Sequence, residues 1–508
     1  MLDYLWIVIS GGIASFISSM GIGANDVGNA FATSIGSGAL SVKNAVVIAS
    51  IFECAGAILM GSHVTKTIRK GIADYECFED EPELLMYGCF CVLLSVGAWL
   101  FLASYLEMPV STTHSCVGGM IGMTIVTGGS NCVIWYKASA SFPWVGGVSG
   151  IVLSWFLSPI FSAIVSSFIF YLTRLTVLRK EDSFNKSYKT FPIFVGLTIT
   201  LNTFFIIYKG GKGVGLDNIS AGGSLFIASG AGLVTSSLII PFIPKMKQLV
   251  NDRFQQEVVE HVEERIECPN QLNEIKKING VQKCIGSIKR NINYDMDQIK
   301  INEVKDIHDQ SEKFDKKTEE SFKYLQIFTA ICDSFSHGAN DVANAIGPYA
   351  AIVSIYMNDG ELEKKVDMDQ YAYLILGMGG VGISLGLLIY GYKIIRAIGI
   401  KLCCITPSRG FSIELGSATI IIIGSRLGIP LSTTHCQVGA TMGVAALEDI
   451  KNCSGINWKI AWKVFFGWII TLLVVGGTTS LLVAQGIYAP TKNIDYCNVT
   501  GINRTFIN

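Results

Sequence analysis

Long apolar stretches joined by short polar connections run through most of the chain. A helix needs about twenty apolar residues to cross the hydrocarbon core of a bilayer. Stretches of that order lie near 4–30, 44–65, 84–105, 145–172, 191–208, 222–243, 324–355, 371–392 and 461–486. Shorter ones lie at 109–126, 411–428 and 430–447, and the first and last of these open with a proline and a cluster of hydroxyls. That opening suits helices that begin partway through the membrane. The pattern predicts an all-α polytopic membrane protein of about twelve transmembrane segments, seven before and five after a polar interval at 245–323.

The interval alternates acids and bases with apolar residues at irregular spacing, and reads as a solvated cytosolic loop, partly helical or disordered. Lysine and arginine in the short connections set the orientation. Arg174, Arg179, Lys180, Lys186 and Lys189 crowd one connection, and Lys393, Arg396, Lys401 and Arg409 another, both on the side of the loop. Lys66, Arg69 and Lys70 fall on the opposite side and run against the rule. Glycosylation sequons at Asn498 and Asn503 place the C-terminal tail outside. The first segment leads from Leu2 straight into a polar phrase at residue 23 without a cleavage signature, so it is expected to belong to the working protein.

Composition narrows the class. Half of the 508 residues are hydrophobic and 16% are charged, where a soluble protein carries about a quarter charged. The 53 glycines suit closely packed membrane helices. A net charge of −1 leaves no basic surplus for nucleic acid. No nucleophile–base pair or metal-ligand spacing signals an enzyme. Cys54, Cys89, Cys91 and Cys332 lie in apolar segments and read as small buried hydrophobes. The phrase KGGKGVG at 209–215 lacks the Lys-Ser/Thr of a phosphate loop and reads as a turn.

Two polar phrases each occur twice, in the same order. GANDVGNA at 23–30 returns as GANDVANA at 338–345, and PVSTTH at 109–114 as PLSTTH at 430–435. Asn25 and Asn340 are 315 residues apart, Pro109 and Pro430 are 321 apart, and the near-equal offsets mark a duplicated half. Seven crossings before the second half would invert it relative to the first, the arrangement of many secondary transporters. In each first phrase an acid and two amides share a helical face: Asn25, Asp26 and Asn29, then Asn340, Asp341 and Asn344. Such an oxygen-rich nest suits a small cation such as sodium. An acid at the bilayer centre costs about 2.5–3.5 kcal/mol on insertion scales, so its presence demands a partner.

The second phrase reads as the start of a half-helix capped by hydroxyls. Helix N-termini carry about half a positive charge and bind oxyanions. If the halves meet, Ser111, Thr112 and Thr113 face Ser432, Thr433 and Thr434 around a tetrahedral anion. Two carboxylates and a phosphate would bring roughly −3 to −4 into the membrane centre. Neither phrase contains lysine or arginine, so the neutralising charge is expected to arrive with the substrate. His114 and His435 could contribute protons, although a histidine beside a cap is more often a neutral hydrogen-bonding group.

These phrases resemble those of the inorganic phosphate transporter (PiT) family of sodium- or proton-coupled phosphate symporters. The likeness extends to the stretch from FECAG to TKTIRKG at 52–71 and to TPSRGFSIELGSA at 406–418. The resemblance implies twelve segments in inverted repeats, both termini outside, and phosphate held between the repeats with sodium on the paired acids. Carried over by motif, Asp26, Asp341, Asn29 and Asn344 would hold sodium. Asn25, Asn29, Asn340, Asn344 and the triplets Ser111, Thr112, Thr113 and Ser432, Thr433, Thr434 would line the phosphate. Glu53 and Glu414 match acids the family needs for transport, whereas sequence alone makes them buried helix acids. Gly28 departs from the alanine usual there and removes no ligand.

The expected organisation is a first transmembrane repeat at 1–172, additional transmembrane segments at 173–244, the charged cytosolic loop at 245–323, a second repeat at 324–490 and an extracellular tail at 491–508. The expected function is import of inorganic phosphate coupled to sodium by alternating access, in the plasma membrane with both termini outside. Sodium is the coupling ion and no cofactor is expected. The partners are phosphate, sodium and the lipid bilayer, with no nucleic acid; the oligomeric state stays open, a homodimer included. Proton coupling on the same scaffold and phosphate sensing without net transport are the alternatives.

Overall fold

In hydrocarbon every backbone N–H and C=O must find a partner within the chain, and a helix does this locally. Each of the twelve apolar stretches accordingly contains a helix in the computed structural model. The structure describes residues 4–489 apart from 62–63, 66–67, 69–70, 139–143, 209–218, 264–310, 361, 363–369 and 400. Outside the described residues lie most of the charged loop, the sequons and tail, the KGGKGVG phrase, and Lys66, Arg69 and Lys70.

Helix α1 (Leu5–Ile22) runs into a π-helical turn at Gly23–Val27 and two short turns, Gly28–Ala30 and Ala32–Gly36. Then come α2 (Val42–Met60), α3 (Pro82–Tyr105), α4 (Thr112–Gly128), α5 (Gly147–Thr173), α6 (Ser183–Ile207), α7 (Ala221–Ile239) and the polar α8 (Ile243–Glu263). After the loop follow α9 (Lys316–Met357), α10 (Gln370–Tyr390), α11 (Tyr392–Gly399), α12 (Pro407–Leu427), α13 (Thr433–Ala446) and α14 (Trp458–Tyr488). The interval at 245–323 is therefore helical at both described ends. A two-stranded ribbon, β1 (Lys137–Ala138) with β2 (Val145–Gly146), is the small exception to the helical class.

Eight of the described helical segments have the length and hydropathy of a bilayer span. Their side chains are arranged for lipid. On α14 the exposed face carries Trp462, Phe466, Ile469 and Leu473, while the buried face carries three valines among the small or hydroxyl-bearing Ala461, Gly467, Thr471, Thr479 and Gly486. Water would not tolerate so continuous an exposed face of large apolar side chains. The protein is a multi-pass helical membrane protein.

Packing joins the two halves. Helix α4 lies along α14, and α13 lies along α5, so each half-helix packs on a helix of the other half. Small residues permit the approach. A Cβ on Gly122 of α4 would lie 2.4 Å from the Gly476 carbonyl oxygen, and one on Gly443 of α13 would lie 2.6 Å from that of Ala163. Gly118 and Gly122 repeat at Gly439 and Gly443, at the 321-residue spacing of the prolines. Helices from the two halves of the chain are thus interlocked in space.

Cys77 and Cys132 form a disulfide across 55 residues, beside a bridge between Ala73 and Val133. Of the four cysteines expected to be small buried hydrophobes, Cys89 and Cys91 are free and buried, while Cys54 and Cys332 are free and partly buried; the disulfide pair stood outside that expectation. Both partners lie in connections whose approach only the folded chain reveals.

Candidate functional site

The proline loops come first, because they place the half-helices. Asn25 donates from Nδ2 to the Met108 carbonyl at 3.0 Å and to Ser104 Oγ at 3.2 Å, and its Oδ1 accepts from the Val110 N–H at 2.9 Å. Asn340 likewise donates to the Leu431 carbonyl at 2.9 Å. The two amides hold the segments that lead into α4 and α13. Ser111 and Ser432 then cap these helices, each Oγ accepting the N–H of the histidine three residues on, at 3.2 and 3.3 Å. Caps of this kind are worth about 1 kcal/mol.

The half-helix tips meet head to head. Thr113 Oγ1 donates to the Leu431 carbonyl at 2.9 Å, and Thr434 Oγ1 to that of Val110 at 3.2 Å. Between the tips lie the acids. Asp26 accepts from Thr112 Oγ1 at 2.6 Å and from the Thr112 N–H at 3.4 Å on one tip, and from Thr434 Oγ1 at 2.7 Å on the other. Asp341 accepts from Thr433 Oγ1 at 2.5 Å and Asn340 Nδ2 at 2.7 Å. Asn344 donates to Thr112 Oγ1 at 3.0 Å and Thr113 Oγ1 at 3.4 Å. Asp26, Asp341, Asn344 and both threonine pairs are therefore one buried cluster. Asn29 follows in the same helical run, and its side chain lies outside the described set.

The two copies of the acid phrase differ in backbone. The first is a π-helical turn, while the second continues within α9. They differ also in the residue just before the glycine: Ile22 in one, His337 in the other. His337 Nδ1 lies 2.9 Å from Glu53 Oε2, and its Nε2 lies 2.9 Å from Asp341 Oδ2. The Nδ1 contact is a hydrogen bond, whereas Nε2 sits close to Asp341 without hydrogen-bond geometry. Gly338 lets α2 approach, since a Cβ there would lie 2.2 Å from the Glu53 carbonyl oxygen. The expectation of a cluster without a resident base is thus corrected: one histidine stands in it. Comparing the two copies position by position and asking where chemistry changes would have found it.

Glu53 and Glu414 are fully buried. Glu414 accepts from Thr33 Oγ1 at 2.8 Å, Ser34 Oγ at 2.5 Å, Thr329 Oγ1 at 2.7 Å and Gln326 Nε2 at 3.1 Å, tying the turns after the first acid phrase to α9. It stands apart from the threonine cluster in its contacts.

Some polar capacity in the cluster is unused. The buried Asn344 Oδ1 has no partner among the described residues, nor has either amide atom of the buried Gln437, one turn beyond Thr433. Every helix leaves its first N–H groups without intrahelical acceptors. Asp26, Asp341 and His337 each offer a ligating atom within 4.8 Å of one another. Carboxylate, amide and hydroxyl oxygens form a hard donor set suited to an alkali cation. Helix amides and the Gln437 nitrogen suit an oxyanion. Both kinds of ligand fit the residues present.

Known proteins resemble the chain over most of its length. The model of the phosphate transporter family matches residues 22–479. The sodium-dependent phosphate transporter 1 of Mus musculus is 28% identical, covering 95% of each chain. A phosphate-repressible phosphate permease of Neurospora crassa is 29% identical over 96% of this chain and 98% of its own. A solved structure described as the sodium-dependent phosphate transporter superposes with a TM-score of 0.71, at 31% identity, over 94% of this chain and 98% of that one.

Proposed function

The chain belongs to the phosphate transporter family, and from that premise we propose that it imports inorganic phosphate together with sodium by alternating access. The observation that carries this is the bridging of Asp26, whose two oxygens are held by threonines from opposite half-helices. A carboxylate shared by two opposed helix ends makes cation binding and closure of the anion site a single event.

Charge sets the order of magnitude. His337 supplies at most one positive charge among Glu53, Asp26 and Asp341, so three ionised acids leave at least two negative charges uncompensated. Two carboxylates with oxygens within 4.8 Å of one another repel by at least roughly 3 kcal/mol at an effective dielectric near 20. Phosphate adds roughly −1 to −2. Cations must accompany the anion, and the oxygens of Asp26, Asp341 and Asn344 are where they bind. Thr112, Thr113, Thr433 and Thr434 then present hydroxyls and amides to phosphate, with Gln437 behind them. Glu53 orients His337, and Glu414 braces the neighbouring turns.

The duplicated phrases and interlocked halves support inverted repeats of twelve crossings that exchange access around this fixed centre. The Cys77–Cys132 disulfide favours an oxidising compartment for its connections. That agrees with the loop at 245–323 lying in the cytosol, both termini outside, and the plasma membrane as the site of action. A histidine between two acids, Glu53 and Asp341, favours one second reading, proton coupling at the same site. Uptake of labelled phosphate into proteoliposomes, with sodium and proton gradients imposed independently, separates these. Accumulation driven by sodium alone supports the proposal. Accumulation unchanged when choline replaces sodium refutes it in favour of protons, and binding without accumulation refutes transport.

A further inference from the structure

Behind the threonine cluster, the two histidines that follow the threonines face each other across the halves. His114 stacks on Trp155 with ring centroids 3.6 Å apart, His435 packs on Trp468 at 3.6 Å, and the two imidazoles lie 4.6 Å from one another. Trp155 is on α5 and Trp468 on α14, each the helix after its own half-helix. The result is one column of four rings, Trp155–His114–His435–Trp468, crossing α5, α4, α13 and α14.

The column is symmetric in its rings and asymmetric in its hydrogen bonds. Helix α5 contains Pro159, which has no N–H for the carbonyl four residues earlier, that of Trp155. His435 Nδ1 lies 3.0 Å from that carbonyl oxygen. A carbonyl only accepts, so His435 carries its proton on Nδ1. Gly439 lets α13 close in beside the proline, for a Cβ on it would lie 2.4 Å from the Pro159 carbonyl oxygen. His114 Nδ1 has no partner among the described residues. In the second half Leu472 stands four residues after Trp468, so no proline frees that carbonyl.

We propose that His435 is a positioning residue: its bond to the carbonyl freed by Pro159, relayed through the four-ring column, holds the two half-helix tips in register so that Thr112–Thr113 and Thr433–Thr434 share one phosphate. His114 contributes its ring alone. This rests on the phosphate-transport reading, and deepens it.

The test uses full-length protein in proteoliposomes: wild type, His114→Phe, His435→Phe, and His435→Phe combined with Pro159→Ala, which returns an N–H to the Trp155 carbonyl. Phosphate KM and maximal uptake are measured separately, and thermal stability of each purified variant is measured alongside. His114→Phe is expected to keep KM within about twofold of wild type. His435→Phe raises KM at least fivefold with a smaller change in maximal uptake; adding Pro159→Ala recovers thermal stability by satisfying the Trp155 carbonyl, while KM stays raised because α13 is still not joined to α5. A wild-type KM in His435→Phe overturns the proposal, as does equal damage from Phe at both histidines. If His435→Phe fails to assemble, recovered assembly in the double variant supports the proposal, and its absence opposes it. Should wild type itself accumulate no phosphate, the transport reading fails; stability then still decides the joint, by the same pattern of loss and recovery.

Discussion

Replacing Asp26 by Asn removes one charge and keeps almost the same shape. The carboxylate accepts two threonine hydroxyls, from Thr112 at 2.6 Å and Thr434 at 2.7 Å. The amide retains one acceptor, and the second hydroxyl can turn to accept from Nδ2, so the hydrogen-bond loss is about 1 kcal/mol. The electrostatic loss is larger. A monovalent cation about 4 Å from the carboxylate is held by about 4 kcal/mol at an effective dielectric near 20. That corresponds to roughly a thousandfold weaker cation binding. Charge therefore dominates shape by about four to one. Asp26→Asn should assemble normally and show a half-saturating sodium concentration raised about a thousandfold, leaving labelled phosphate uptake near background at ordinary sodium. The assay is sodium titration of initial uptake in proteoliposomes, with assembly followed by size-exclusion chromatography. Uptake with the wild-type sodium dependence would refute the role assigned to this carboxylate.

Other consequences are structural. Arg409 is buried with Glu448 at 2.6 Å and also donates to the Glu312 carbonyl at 2.8 Å, so Arg409→Ala should strand a buried acid and cost about 3–5 kcal/mol; an unchanged melting temperature would count against that. Cys77→Ser opens a 55-residue loop and should cost about 2–4 kcal/mol, read as a lower melting temperature that reductant reproduces in wild type only. Glu312 is held below the usual carboxylate range by the Arg179 guanidinium, bonded at 2.8 Å. Its contribution is therefore present above the unfolded value, about 4.3, and is lost as pH falls through the lower folded value. Melting curves of wild type should fall more steeply below about pH 4 than those of Glu312→Gln, and parallel curves would contradict this.

Much of the fold was legible because a bilayer imposes length and polarity on every span. All twelve apolar stretches are occupied by helices, and the hydroxyl-rich openings at Ser111 and Ser432 are caps. The duplicated acids and threonines pointed to one centre. What sequence could not show is which polar atoms are consumed in holding it together. Asn25 and Asn340, expected at phosphate, spend amide atoms on the loops ahead of the half-helices. An amide looks the same in sequence whether it binds a ligand or a backbone. His337 was hidden for a related reason: it stands one residue outside the repeated phrase, and its partner Glu53 is 284 residues away. The interlocking of α4 with α14 and α13 with α5 was likewise invisible, although the glycines that permit it repeat on schedule.

At the centre of the account, oil-buried acids without enough resident positive charge oblige phosphate and cations to bind as one. The most direct measurement is equilibrium phosphate binding to the purified protein across a sodium titration, with the reciprocal sodium binding across a phosphate titration. The account predicts that sodium tightens phosphate and phosphate tightens sodium by the same factor, as linkage requires. A phosphate affinity that stays constant from sodium-free choline buffer to saturating sodium would contradict it.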